Sequence, residues 1–252
     1  MIQICAIASG SNGNCYYIGN NSDAVLVDAG ISRRQIIKRM KLMKLDIRKV
    51  KAAFITHEHA DHMRGVRVLS DQHSIPIYFT KPTFKRARPA DRPKNVEFFS
   101  PGDSVQIGEF TIHSFSKIHD AIDPVSFRVT INGKNIGILT DIGKPCNNVN
   151  EHLAGCDVAF LETNYDENLL WNGPYPYHLK TRVASDVGHL SNRQAAELVA
   201  NIDSSKLKHI FLSHISADNN RIDFAMEAFN GLKKEINIIP TSRYEASVVL
   251  EI

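Results

Sequence analysis

Residues 57–62 read His-Glu-His-Ala-Asp-His and follow the apolar run Ala52-Ala53-Phe54-Ile55 with only Thr56 between. Three imidazoles and a carboxylate therefore fall within six positions, at the point where a buried segment ends. Any fold adopted by this chain must let those groups converge. Imidazole nitrogen together with carboxylate oxygen suits zinc, with manganese or iron as competitors, because metal preference follows ligand type more than raw affinity. At a strand end His57 and His59, two positions apart, point to the same face. A turn beyond them returns Asp61 and His62 toward the same point, which offers ligands for two ions. The competing reading is a histidine-rich polar loop, and the density of ligand-type residues outweighs it. The helical spacing H-E-x-x-H of zinc proteases fails, because its second histidine would fall at Asp61.

The pattern H-x-H-x-D-H resembles the signature of the metallo-β-lactamase fold superfamily, and further residues of that pattern occur in order along the chain. Asp28 closes Ala24-Val25-Leu26-Val27 and precedes Ala29-Gly30. His119 lies in Lys117-Ile118-His119-Asp120-Ala121, Asp141 in Leu139-Thr140-Asp141 and His214 in Phe211-Leu212-Ser213-His214. The resemblance implies that His57, His59 and His119 hold one ion and that Asp61, His62 and His214 hold another. Asp141 would bridge the two ions, with Asp28 behind the ligands. Each of these single residues is weak alone, since an aspartate at a strand end is usually a turn residue. Their order after separate strands carries the weight.

The 252 residues, 43% hydrophobic and 23% charged, fit one α/β domain spanning 1–252 with a single core. No apolar run approaches the ~18 residues of a membrane span. Met1 to Ala8 lacks a basic region, an apolar stretch of adequate length and a cleavage site, so it reads as a first strand, and the expected location is cytoplasmic. Cys5, Cys15, Cys146 and Cys156 show no zinc-finger spacing and are expected to be reduced, mostly buried thiols.

Strands are predicted at about 2–8, 14–19 and 24–28, followed by a helix near 32–45, a strand at 51–56, a helix at 64–72 and a strand at 75–79. Meandering strands between 96 and 140 include a hairpin through Asn132-Gly133, a pair suited to a type I′ turn. Then come a strand at 157–162, a helix at 191–203, a strand at 208–213, a helix at 220–233, and strands near 236–239 and 245–250. Two mixed sheets flanked by helices, an αββα sandwich, accommodate this order and bring the strand-end ligands to one edge.

Substrate choice rests on other residues. Glu162 ends the strand Phe160-Leu161-Glu162, and His189 stands in Gly188-His189-Leu190-Ser191-Asn192 before a helix. This arrangement resembles the acid pair of ribonuclease Z and related phosphodiesterases. An alkoxide leaving from phosphorus needs a proton, a histidinium can supply it near neutral pH, and a carboxylate partner keeps it charged. The competing reading is a capping box, Ser191 with Gln194, beside a turn histidine; both can hold, and N–H groups at a helix start favour a phosphate. The turn Ser9-Gly10-Ser11-Asn12-Gly13-Asn14, His119-Asp120-Ala121-Ile122-Asp123-Pro124 and Trp171-Asn172-Gly173-Pro174-Tyr175-Pro176 resemble the YycJ/WalJ-like branch, whose members are bacterial cytosolic proteins linked to DNA exonuclease activity. On that resemblance Ser9, Ser11, Asn14, Ser191 and Asn192 are expected to contact substrate.

Net charge is only +3, yet 15 of the 30 Lys and Arg fall in two segments, 33–51 and 81–94, with one acid each. Phosphate backbones are bound mainly by such charge. The alternative for the first segment is a solvated helix face, because Ile36, Ile37, Met40, Met43 and Leu45 give it an apolar side. The expected function is a binuclear hydrolase of phosphodiesters, a DNA exonuclease with two Zn2+ or Mn2+ ions. In this reading a hydroxide held by Asp61 between the ions attacks phosphorus, and His189, oriented by Glu162, protonates the leaving oxygen. DNA is preferred over RNA, since the chain has neither a long tRNA-gripping insertion nor a β-CASP domain. The alternatives are a small-molecule phosphodiesterase and a non-catalytic nucleic-acid-binding protein.

Overall fold

The computed structural model describes residues 1–203, 205–232 and 235–252. In chain order the regular elements are β1 (Gln3–Ala8), β2 (Cys15–Gly19), β3 (Ala24–Val27), α1 (Arg33–Leu42), β4 (Val50–Phe54), α2 (Ala60–Met63), α3 (Val66–His73), β5 (Ile77–Thr80), α4 (Lys81–Arg86) and β6 (Val96–Phe99). They continue with β7 (Ser104–Ile107), β8 (Phe110–Ser116), β9 (Val125–Ile131), β10 (Lys134–Leu139), α5 (Asn147–Ala154), β11 (Val158–Glu162), α6 (Glu167–Asn172) and α7 (Tyr177–Val183). The last are α8 (Asn192–Asn201), β12 (His209–Ser213), α9 (Ile222–Ala228), β13 (Asn237–Pro240) and β14 (Leu250–Glu251).

Strand alternation builds the layers. Ile4, Ala6, Tyr16, Ile18, Val25, Val27 and Phe54 face a core shared with Phe127, Val129, Ile136, Ile138, Phe160 and Phe211 of the second sheet. Their neighbours along the strands, such as Ile7, Tyr17 and Leu26, turn outward onto Ile36 and Met40 of α1 and Leu69 of α3. On the other side Leu139, Leu161 and Leu212 pack on Leu153 of α5, Leu198 of α8 and Ala225 of α9. The result is the expected αββα sandwich of two seven-stranded sheets, in the orders β14-β1-β2-β3-β4-β5-β6 and β13-β12-β11-β10-β9-β8-β7. Tyr16–Phe160 and Phe54–Phe127 ring pairs, with centroids 4.7 and 5.7 Å apart, lock one sheet to the other. Each such pair adds about 0.5–1.5 kcal/mol beyond area burial.

Strands β3 to β6 run parallel, as do β10 to β13. Their C-terminal ends are where loops are available for chemistry. Asn132 and Gly133 both have positive φ, 49° and 72°, as a type I′ hairpin turn requires.

Some expectations change. The strand predicted at 245–250 is regular only at Leu250–Glu251, because the Ser247 hydroxyl takes the Ala6 N–H that a ladder partner would have used. The helix predicted at 220–233 covers Ile222–Ala228, and its expected end at 233 lies outside the described residues. Helices α4 to α7 were not anticipated; α5, with the sequence NNVNEHLA, owes its helicity to burying Val149 and Leu153 more than to propensity. Among the described residues no helix is long and apolar enough to cross a membrane. The four thiols are unpaired, and burial pushes Cys5 up to about 11 despite a hydrogen bond with Ser247, so it stays protonated.

Candidate metal centre

Strand register assembles the site. In the second sheet Leu139 lies beside Leu161 and Glu162 beside Ser213, so β10, β11 and β12 end almost flush. Asp141, Glu162 and His214 are thereby delivered side by side. In the first sheet Val27 pairs with Phe54, which sets Asp28 under Thr56 and the loop after β4. Asp28, Asp141 and His214 all have positive φ, 60°, 55° and 57°. Asp and His are among the residues that tolerate this region, and here it turns each chain sharply off its strand so that the side chain points into the edge. The strand β4 itself stops at Phe54, so His57 and His59 meet through the turn into α2 and not through strand alternation.

Seven side chains form two adjacent groups: His57, His59 and His119, and Asp61, His62, Asp141 and His214, with the ligand-type atoms of each group within 4.8 Å of one another. His57 Nε2 lies 3.1 Å from His59 Nδ1. His62 Nε2 is 3.4 Å from Asp61 Oδ2 and 3.3 Å from Asp141 Oδ2, and His214 Nε2 is 3.4 Å from both Asp61 Oδ2 and Asp141 Oδ1. Asp141 Oδ1 also comes within 3.9 Å of His119 Nε2, so this carboxylate stands between the groups.

Each inner imidazole is oriented from behind. His62 Nδ1 donates to Asp28 Oδ2 at 2.7 Å. The Thr56 hydroxyl bonds Asp28 and accepts from His57 Nδ1 at 2.9 Å. His119 Nδ1 donates to the Gly188 carbonyl at 3.1 Å, and His214 Nδ1 to Glu162 Oε1 at 3.0 Å. With Nδ1 of all four rings taken up from behind, Nε2 faces inward, the arrangement that metal-binding histidines use.

The residues present fit metal ions. His119 Nε2 is buried and hydrogen-bonds to no described group. Two nitrogens on one tetrahedral zinc stand roughly 3.3 Å apart, given Zn–N distances of about 2.0–2.1 Å, close to the 3.1 Å between His57 and His59. Burial works against an imidazolium at His62, yet Asp141, Asp28 and Asp61 overcome it and raise its pKa well above the ordinary value. Burial holds His57 well below its ordinary value and His119 at about 4, so both imidazoles are neutral. Burial works against His214 as well, yet Asp141, Asp61 and Glu162 raise it to about 10, so the carboxylates gathered here create a demand for positive charge that dications satisfy. Protein purified without chelator is expected to carry two divalent ions per chain by elemental analysis, with Asp141→Ala losing at least one; a single ion in the unsubstituted chain would contradict the binuclear arrangement.

Glu162 is more connected than the sequence implied. Its Oε1 accepts from both His189 Nδ1, at 2.8 Å, and His214 Nδ1, while Oε2 accepts the backbone N–H groups of Ile142 and Leu190 at 2.7 and 3.2 Å. Burial alone would raise this carboxyl, but the charges and hydrogen bonds of His189 and His214 pull it down to about 2. The His189 side chain is 16% exposed and that of Asp61 21%, so these two face the opening while the groups behind them are buried.

The expected substrate contacts fare differently. Ser9 is buried, accepting the His214 N–H at 2.8 Å and bonding Tyr16, and Asn14 is buried with its amide against Asp61 and His62. Ser191 and Gln194 form the capping box, and Asn192 exchanges amide bonds with Asn220. The polar groups of these four all have partners inside the protein. The N–H groups of Asn192 and Gln194 are likewise taken, by Tyr165 and Ser191, which removes part of the phosphate-binding helix start. Ser11 alone of the five is exposed.

Three residues were missed. Thr56 was adjacent to the motif but had no signal of its own. Lys117 is buried, with its ammonium donating to the Thr140 carbonyl at 2.7 Å just before Asp141. Gly30 has no room for a side chain: an added Cβ would lie 1.6 Å from the Asp61 carbonyl oxygen.

Residues 23–215 match the β-lactamase superfamily domain. The chain is 32% identical to exodeoxyribonuclease YycJ of Bacillus anthracis over 237 residues, 93% of this chain and 90% of that protein. It is also 32% identical to exodeoxyribonuclease WalJ of Streptococcus pneumoniae over 219 residues, 85% of this chain and 81% of that protein. The crystal structure of the metallo-β-lactamase fold protein YhfI from Bacillus subtilis superposes with a TM-score of 0.75 at 15% identity, covering all of both chains.

Proposed function

Because the chain belongs to the β-lactamase superfamily, and within it to the group of the YycJ and WalJ proteins, we propose that it is a two-metal hydrolase of phosphodiester bonds that acts on DNA as an exonuclease in the cytoplasm. The observation that carries the chemistry is the His189–Glu162 pair, 2.8 Å apart, with His189 at the opening and Glu162 buried behind it. When bound, two divalent cations, Zn2+ or Mn2+ given an all-nitrogen and oxygen donor set, supply Lewis acidity toward the phosphoryl oxygens and a more acidic water.

The chain's own residues do the rest. Asp61, partly exposed at the mouth, accepts a hydrogen bond from the attacking water and aims it. His189 donates its Nδ1 proton to Glu162, so Nε2 points away from the carboxylate and carries the proton that the leaving sugar oxygen takes. Glu162 stabilises the imidazolium before transfer. A thioester or lactone gains little from such a donor, which supports phosphorus chemistry over acyl transfer.

Charge supports a polymeric substrate. Lys81, Lys85 and Arg86 are exposed on α4, which begins at the C-terminal end of β5, and Thr83 of the same helix reaches the Asp123 carbonyl in the loop after His119. The first basic segment is partly consumed internally: Arg39 bonds the Ile7 and Arg243 carbonyls and Lys51 pairs with Asp23. Arg88 is paired with Asp91.

A metal-loaded panel of bis-p-nitrophenyl phosphate, end-labelled single- and double-stranded DNA, RNA and a thioester tests the assignment. DNA shortening from an end is the expected result; turnover of the small diester without any polymer cleavage would make the protein a small-molecule phosphodiesterase. Neutralising Lys81, Lys85 and Arg86 together is expected to weaken DNA binding and flatten its log–log salt dependence by about 0.7–0.9 for each phosphate left without its cation. Turnover of bis-p-nitrophenyl phosphate stays near its starting value. Equal losses on both substrates would assign α4 to the fold and not to the polymer.

A further inference from the structure

Between β11 and α8 the chain folds back as the hairpin of α6 and α7, which closes on its own small cluster of Tyr165, Leu170 and Val183, flanked by Tyr175 and Leu179. That cluster does not need the two aromatics at the hairpin tip. Trp171 is 45% exposed and Tyr177 76% exposed, with ring centroids 6.3 Å apart and planes at 44°. Single exposed apolar side chains are ordinary, whereas two large aromatics set together in water call for a partner.

The base of the hairpin is stitched to the metal centre. The His189 N–H bonds the Val183 carbonyl at 2.9 Å, Asp120 N–H bonds the Val187 carbonyl at 3.0 Å, and Gly188 carries the carbonyl that orients His119. Arg182 pairs with Asp120, the neighbour of His119, through Nε at 2.7 Å. From Val183, whose carbonyl holds His189, to Tyr177 the helix rises about 9 Å at 1.5 Å per residue, so Tyr177 starts the same short helix that ends against His189. Lys180 keeps a positive charge on this helix, and its Nζ donates to the Trp171 carbonyl at 2.7 Å, tying the two aromatics' helices together.

Resting on the phosphodiesterase reading above, we propose that Trp171 and Tyr177 form a stacking platform for unpaired bases, holding a single-stranded DNA end beside the reactive phosphodiester. Every base has a π face, so stacking on aromatics tolerates any sequence, and the Lys180 ammonium beside the pair supplies positive charge for the connecting phosphates. In a duplex the base faces are covered by their neighbours, so the platform selects frayed or single-stranded ends.

Trp171 is the chain's one tryptophan, so intrinsic fluorescence reports on the platform directly. Titrating the metal-loaded full chain with a hydrolysis-resistant phosphorothioate oligothymidylate is expected to quench that emission to saturation, and a blunt duplex is expected not to. Tyr177→Ala weakens oligothymidylate binding by about 5- to 160-fold, the range for losing one stacked base, and Tyr177→Phe restores it. Trp171→Ala behaves like Tyr177→Ala when binding is read by anisotropy of a labelled oligomer. Turnover of bis-p-nitrophenyl phosphate is unchanged in all three variants. Absence of quenching, or alanine variants that bind as tightly as the parent, overturns the platform. So does an emission change with protein concentration alone that accompanies a dimer in sedimentation, which would make the pair a protein interface. Failure of the phosphodiesterase reading is visible separately, as absence of turnover on every diester, because quenching by a resistant oligomer does not depend on catalysis.

Discussion

Replacing His189 by alanine is expected to leave metal content unchanged and to slow hydrolysis at a DNA sugar oxygen by roughly 10²–10⁴-fold, the usual contribution of a general acid. On bis-p-nitrophenyl phosphate the loss is expected to be far smaller, since a nitrophenolate departs without a proton. The geometry supports this split: His189 Nδ1 is 2.8 Å from Glu162 and 4.0 Å from Asp141, so the ring is anchored at one nitrogen while the other is available at the opening. Comparing kcat on the two substrates, with metal content measured on the same preparations, is the check. A loss of equal size on both would remove the acid role and leave His189 as a phosphate contact or part of the turn before α8.

Glu162→Gln is expected to do more than weaken the acid. From sequence, Glu162 serves His189 alone, and its amide replacement would be a milder version of the histidine loss. In the structure one oxygen serves His189 and His214 and the other serves the N–H groups of Ile142 and Leu190. A glutamine must turn its NH2 toward one of those donor pairs, leaving buried donors facing a donor. Because His214 belongs to the second ligand group and Ile142 follows Asp141 directly, the substitution disturbs two ligand-type residues at once. Loss of such an outer partner typically costs 10–100-fold in metal affinity or activity. Competition against a chelator of known affinity should therefore show weakened metal retention in Glu162→Gln, where His189→Ala shows none. Full retention in Glu162→Gln would mean that the His214 contact carries no weight in holding the metal.

The sequence by itself determined which side chains are available and where along each strand they fall. Ligand-type residues close β3, β10 and β12 and follow β4 within three positions, and strand alternation divides Ile4 and Ala6 from Cys5 and Ile7 so that two sheets must sandwich a core. Both are local properties, set by covalent spacing and by the two-residue period of a strand. What the tertiary structure decided is how polar groups share partners. Ser9 and Asn14 belong to a Gly/Ser/Asn turn that the fold presses under His214 and Asp61, and burial obliges their polar atoms to bond inside the protein. Thr56, Lys117 and the second role of Glu162 became visible only when strands far apart in sequence lay flush, because register between β10, β11 and β12 is a consequence of packing. Gly30 has the same origin: the Asp61 carbonyl that excludes a side chain there lies 31 residues along the chain, and only folding brings the two together.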